Sequence, residues 1–319
     1  MYFPYLRGKR FELIGLRELI EKDLIGNKII PIIEPISPSP AMAKTLKCYV
    51  ENNKKIAIII NPNVGQFIKE FKELKKKETD ENKKCVTSTI IKHINNENTI
   101  KSYLMDKNVA IKIANKSTKN DFLIINTNRD CLDSYLSAYK KSKPVYILIP
   151  DNDRAFFKSV KGSKISFRDY FNKQNRNSDY SNCPDEFFTD IHLCYEEDGY
   201  NGFSDYSIVG EEYEDSGFAP RAVAIHIVYF DKKNVLGIRH FVSDSNENIK
   251  DTAGKFGEAL EKLVRWSKSN KITETEGLRG FYGCYKAGKY PGLGTVKKLS
   301  IMHHIELMNK FLEGDIKCS

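Results

Sequence analysis

The chain contains no C-x-x-C spacing. Its seven cysteines, Cys48, Cys85, Cys131, Cys183, Cys194, Cys284 and Cys318, are scattered and odd in number. A structural zinc site needs clustered ligands, and a disulfide scaffold is usually short with paired cysteines, so the thiols are read as reduced. No uninterrupted apolar run is long enough to cross a bilayer, because Glu, Lys or Asn breaks every candidate. The opening "MYFPYLRGKRFELIGL" lacks the basic, then apolar, then small order of a secretory signal. These absences lead to the expectation of a cytoplasmic protein with no membrane partner. There is no repeat of fixed period, no domain linker and no acidic cluster that points to a metal. "GLGTVKK" (Gly292 to Lys298) lacks the spacing of a nucleotide-binding loop. No metal and no cofactor are expected.

What is present is globular in character: 319 residues, 40% hydrophobic and 29% charged, enough to bury a substantial core. The net charge of +9 admits a nucleic-acid or phosphorylated partner. Much of the excess lies in "KEFKELKKKETDENKK" (Lys69 to Lys84), where mixed Lys and Glu read as the solvated face of a helix.

Short β-branched runs alternate with helical patterns. "YFPYLRGK" precedes "FELIGLRELIEKDLI", in which Leu13, Leu16, Leu19 and Ile20 recur at helical spacing. "KIIPIIEPIS", "KKIAIIINPN", "NVAIKIAN", "DFLIINT", "PVYILIPD", "FSDYSIVG" and "AVAIHIVYF" continue the series. "VTSTIIKHINNENTIKSYLM" reads as a helix before "NVAIKIAN". About eight strands in a β-then-α rhythm predict one TIM-barrel-like (β/α)8 domain over residues 1–319. Two departures are expected: a lid or assembly surface inserted at about 152–202, with a helix at "SFRDYFNKQ", and a late β-hairpin joining "AVAIHIVYF" through "DKKN" to "VLGIRHFVSD". Segments 249–266 and 300–312 read as terminal helices, with His303 and His304 as surface or packing residues.

In a barrel, alternate residues point inward and chemistry collects at the C-terminal strand ends. "AVAIHIVYF" sets Ala222, Ala224, His226 and Val228 on one face, and "NVAIKIAN" sets Ala110, Lys112 and Ala114 on one face. Both put a basic group between alanines. Alternation and strand ends add Arg7 with Lys9, Glu34, Asn61, Asn126, Asp205 and Ser207. The expected interior therefore gathers Arg7, Lys112 and His226 against Glu34 and Asp205. Isolated buried charges cost several kcal/mol each, so such a set is either a closed ion-pair network or a ligand pocket.

"MYFPYLRGKRFELIGLREL", "IIPIIEPI" and "GYNGFSDYSIVG…GFAPRAVAIHIVYF…IRHFVSD" together resemble the bacterial beta family, named after a phage T4 beta protein, and within it a subfamily often encoded beside a second small conserved protein. The resemblance spans the N-terminal quarter and Tyr200 to Asp244. It implies a TIM-like barrel, a bacterial or phage origin, a setting among mobile or antiviral-defence genes, and a partner encoded by the adjacent gene. It assigns no catalytic role. The leading functional expectation is a defence-associated recognition protein whose barrel mouth binds a phosphorylated ligand or nucleic-acid end. Arg7, Lys9, Lys112, His226, Arg239 and His240 would supply positive charge, Asn61 and Asn126 polar contacts, and Glu34 and Asp205 orientation. An enzyme is the first alternative: a phosphodiesterase using His226 with Glu34, or a Schiff-base lyase using Lys112. The second is a scaffold for the adjacent gene product, with the polar interior a closed network.

Overall fold

A computed structural model of the chain describes residues 1–76, 81–105, 121–138, 144–214 and 220–316, the side chains of 75, 76 and 81–84 excepted. These residues fall into two compact units. The first comprises residues 1–13, 26–169 and 194–206, and the second 14–25, 170–193 and 207–319.

The first unit is a closed, all-parallel eight-stranded barrel, so the fold is TIM-barrel-like. Its strands are β1 (Tyr2–Leu6), β2 (Ile32–Ile33), β3 (Ile56–Ile59), β4 (Thr99–Leu104), β5 (Phe122–Ile125), β6 (Tyr146–Pro150), β7 (Lys164–Phe167) and β9 (Gly202–Asp205). Closure is the β1–β9 pairing, with Tyr2 opposite Phe203 and Pro4 opposite Asp205. Period-two alternation sends Phe3, Tyr5, Ile32, Ala57, Ile59, Leu123, Ile125, Leu148, Ile165, Phe167 and Tyr206 into one buried cluster. β4 adds Ile100 and Leu104, so seven of the eight strands contribute, and Tyr206 follows directly on the eighth, β9.

Two barrel strands differ from expectation. The fourth lies in the segment read as helical, while "NVAIKIAN" and Lys112 fall outside the described residues. The helix Glu81–Ile94 gives way at Asn95–Asn98, turn-forming residues, and "TIKSYL" then alternates as a strand. The seventh strand, β7, sits inside the segment expected to be a lid, because Ile165 and Phe167 alternate into the barrel core. No helix forms at "SFRDYFNKQ": Ser166 and Phe167 belong to β7, residues 168–174 are irregular, and only Tyr170 onward leaves the barrel unit.

The second unit carries the late hairpin. β10 (Ala224–Phe230) and β11 (Leu236–Val242) pair antiparallel, and β11 also pairs with β8 (Asp185–Thr189). "AVAIHIVYF" is therefore a strand of this sheet and not a barrel strand. The turn between β10 and β11 is fixed locally: the Asp231 carboxylate accepts from the Lys233 and Val235 amides, and Asn234 takes the left-handed conformation (φ 59°). Gly237 lies opposite Tyr229, where a Cβ would come within 2.9 Å of the ring. One sheet face, with Ile225, Ile227 and Phe241, packs on Phe256, Leu260, Leu263, Phe281 and Leu299 from three helices, Thr252–Asn270, Glu276–Ala287 and Leu293–Glu313.

The last of these helices is buried over most of its length. His303 donates to or accepts from Thr275 at 2.7 Å through Nδ1 and lies 2.7 Å from the Val228 carbonyl through Nε2, while His304 Nδ1 meets Ser207 Oγ at 2.9 Å. The two histidines are thus internal packing residues, polar but partnered. Burial pulls His303 down to about 4 and His304 to about 3.

Two outcomes follow from this packing. The opening helix, Arg10–Glu21, buries Leu13, Leu16 and Leu19, as its spacing predicts. Leu16→Ala leaves a cavity and lowers stability by about 2–5 kcal/mol, measured by urea denaturation; a loss below about 0.5 kcal/mol is incompatible with that burial. For His303 and His304 the unfolded chain binds protons near pH 6.5 and the folded chain does not until pH about 4 or 3. Stability is therefore full above pH about 6.5 and falls as pH drops, by up to about 1.4 kcal/mol per pH unit for each histidine. Denaturation midpoints measured across that range check it.

Candidate functional site

At the C-terminal end of the barrel, β1 delivers Arg7 two residues after inward-facing Tyr5, and β2 delivers Glu34 two residues after Ile32. The two form a buried ion pair. Glu34 also accepts from the Tyr5 hydroxyl at 2.6 Å and the Asn63 amide at 2.8 Å. The Arg7 guanidinium lies 5.2 Å from the Tyr5 ring centre and 5.1 Å from that of Tyr206, over a cluster that Phe167 completes. Arg7 and Glu34, expected together, are together. The carboxylate takes three donors, and the cation lies against the carboxylate and the two rings.

The other expected interior residues disperse. Asp205 lies on the opposite face of β9 from Ser204 and Tyr206, and accepts from the Tyr2 hydroxyl at 2.8 Å. This corrects its inward assignment: alternation gives that direction to Tyr206. Asn61 bridges strand ends, donating to the Leu104 carbonyl at 2.9 Å and accepting from its amide at 3.0 Å. Asn126 donates to the Leu148 carbonyl at 2.9 Å, and its buried Oδ1 has no hydrogen-bond partner among the described residues. Lys9 engages the first turn of its helix, its amide donating to Glu12 at 3.3 Å.

His226 and His240 are joined in the second unit instead of meeting Glu34 and Asp205. They occupy directly opposed positions of β10 and β11. Their Nδ1 atoms are 2.7 Å apart, and His240 Nε2 is 3.0 Å from Glu186 Oε2 on β8. Arg239, next to His240, takes the opposite face, where it pairs with Asp185 at 2.6 Å and lies 5.2 Å from the Trp266 ring centre. It therefore does not join His240 at one site. Adjacent strand residues point apart.

The proton arrangement follows from the acceptors. An ionised carboxylate only accepts, so His240 donates from Nε2 to Glu186. Neutral His240 then has a lone pair at Nδ1, and His226 donates to it from its own Nδ1. Both imidazoles are held below the ordinary histidine range: His226 well below it by burial, then His240, then Lys297, and His240 by burial, which Glu186 opposes. His226 is left with a lone pair at Nε2, for which no hydrogen-bond partner is found among the described residues.

Phe171 and Tyr180 stand against the histidine pair. Tyr180 is 4.6 Å, ring centre to ring centre, from each imidazole, and Phe171 is 5.2 Å from His226. Tyr180 rides on the short 3-10 turn Asn177–Ser181, tethered by Asn177 donating to the Ala222 carbonyl at 2.8 Å. Beside His226 a cavity of about 210 Å³ opens, walled by these aromatics, Lys173, Gln174, Ala224, Ile208, and Leu293, Val296, Lys297 and Ser300 of the last helix. "GLGTVKK" thus opens a helix whose first turns line this cavity. Lys173 is held by Glu214 at 2.7 Å and Glu212 at 3.1 Å. No cluster of three or more metal-ligating side chains occurs among the described residues.

Glu186, Lys173, Tyr180 and Lys297 were not visible as site residues in the sequence. The histidine pair was within reach: a hairpin that closes Phe230 against Leu236 sets His226 opposite His240 by counting outward from the turn. Comparison with family models, with curated proteins and with solved structures finds no match.

The mouth network makes its own test. Glu34→Gln leaves Arg7 without its charge partner and costs about 3–5 kcal/mol, whereas replacing the pair together by Arg7→Met and Glu34→Leu recovers most of that loss. Thermal denaturation of the single and double variants measures it; a mild single-variant loss would remove the buried ion-pair description.

Proposed function

We propose that this chain is a recognition protein for a phosphate-bearing ligand, a phosphorylated small molecule or a nucleic-acid end, and that it binds in the cavity beside His226. The setting is the one the resemblance implies, antiviral defence in a bacterium or phage, working with the product of an adjacent gene, and the expected compartment is the cytoplasm. The observation that carries the reading is the cavity wall itself. It joins Lys297 with the polar residues Gln174 and Ser300. Lys297 lies in the first turns of a 21-residue helix, whose N-terminal dipole favours a negative charge. The net charge of +9 favours the same class of ligand. The barrel mouth offers less, because Arg7 and Glu34 already satisfy each other.

Binding of inorganic phosphate and of a 5′-phosphorylated single-stranded oligonucleotide, followed by calorimetry across a salt series, tests the reading. One phosphate contact, through Lys297, gives a log–log salt slope of about −0.7 for the oligonucleotide. Lys297→Ala weakens binding about tenfold, or about 1.4 kcal/mol. A flat salt response, or binding indifferent to Lys297, counts against a phosphate ligand. A response to the oligonucleotide and none to phosphate assigns the site to nucleic acid.

A further inference from the structure

We propose that β8 is the surface through which two copies of this chain associate, pairing antiparallel about a two-fold axis at Phe187 so that two three-stranded sheets become one. The strand order β10-β11-β8 leaves β10 and β8 on the outside. Those two edges differ. On the β10 side the carbonyls of Ala222 and Val228 accept from side chains of the same chain, Asn177 at 2.8 Å and His303 at 2.7 Å. On the β8 side the His240 amide donates to the Pro184 carbonyl at 2.9 Å. Backbone groups of successive strand residues turn to opposite sides, so Pro184 and Glu186 face β11 while Asp185 and Phe187 present N–H and C=O outward. No hydrogen bond to those outward groups is found among the described residues.

Soluble proteins blunt an open edge with lysine, proline or free charge. β8, "DEFFT", holds no lysine and no proline. Both of its charges are engaged within the chain: Asp185 accepts from the Tyr229 hydroxyl at 2.7 Å and from Arg239 at 2.6 Å, and Glu186 from His240 and Asn172, each at 3.0 Å. Between them Phe187 is 66% exposed, and its cross-strand neighbour, Gly237, has no side chain to cover the ring.

The same strand from a second copy fits this edge. Its acidic residues lie in the first half alone. Antiparallel pairing centred on Phe187 sets Asp185 opposite Thr189 and Glu186 opposite Phe188, so no like charges meet. It also brings the outward groups of the two Phe187 residues together for two reciprocal hydrogen bonds, with one ring beside the other. Centring the pair one residue earlier would set Glu186 against Glu186, and two earlier Asp185 against Asp185. The contact is isologous and uses up the edge, so assembly stops at two chains. Two five-residue strands make a small contact beside the roughly 1,200 Å² of a stable specific complex, so association depends on concentration. In the pair β8 becomes an inner strand, which holds Glu186 against His240.

Sedimentation velocity of the full-length protein, from low to high micromolar concentration, should show the mass rising from one chain toward two. Phe187→Lys sets two ammonium groups against each other at the axis and weakens association about tenfold or more. It leaves the thermal midpoint of the dilute protein near the wild-type value, because the side chain is exposed. Under mild oxidation Phe187→Cys yields a disulfide-linked dimer above the wild-type background, since paired Cα atoms about 5.5 Å apart lie within bridging range. Ile249→Cys, also exposed but outside β8, gives no such gain. A one-chain mass at every concentration overturns the proposal. So does association indifferent to Phe187→Lys, assembly beyond two chains, or a Phe187→Cys yield no greater than that of Ile249→Cys. The wild-type mass series and the crosslink stand even where Phe187→Lys fails to fold.

Discussion

A carboxylate accepts hydrogen bonds and does not donate them, and two carboxylates use that asymmetry here to opposite ends. Glu34 gathers an arginine, a tyrosine hydroxyl and a backbone amide at one point, and the ends of the first two barrel strands are tied together there. Glu186 has the ring of His240 on one oxygen and the Asn172 amide at 3.0 Å on the other. Its demand passes through one imidazole to the next and emerges as a lone pair. The same chemical group ends one network and polarises another, the difference being that an imidazole donor also carries a nitrogen that accepts, and a guanidinium does not.

The period-two rule reached the barrel correctly, because a strand pays no attention to its partner when choosing which side chains face in. It placed Tyr5, Arg7, Ile32 and Glu34 on the inner side of the first two strands, and the closed sheet has them there. It failed at "AVAIHIVYF" for a reason of the same kind. Alternation says which residues share a face and is silent on which sheet owns the strand. Val223, Ile225 and Ile227 satisfy a helix layer as well as a barrel wall would. Asp205 shows the complementary limit: one position of register decides between the core side with Tyr206 and the Tyr2 side.

The segment from Asn152 to Gly202 serves both units. It supplies β7 to the barrel and β8 to the antiparallel sheet, and neither strand is long or uniformly apolar. Glu186 could not be recognised from its own surroundings, "CPDEFF", since its role is created by a histidine on a strand to which it is joined only by non-local pairing. The histidine pair, by contrast, is the product of a tight turn and simple counting.

That difference in origin has a kinetic consequence. His226 and His240 are 14 residues apart and meet when the hairpin closes, whereas His240 and Glu186 are 54 apart and meet only when β8 docks on the hairpin edge. Loop closure over the longer span is the slower event. The hairpin by itself sets two imidazoles face to face with no carboxylate to choose between their tautomers. The directionality of the site belongs to the three-stranded sheet, and it is lost when the edge strand peels away.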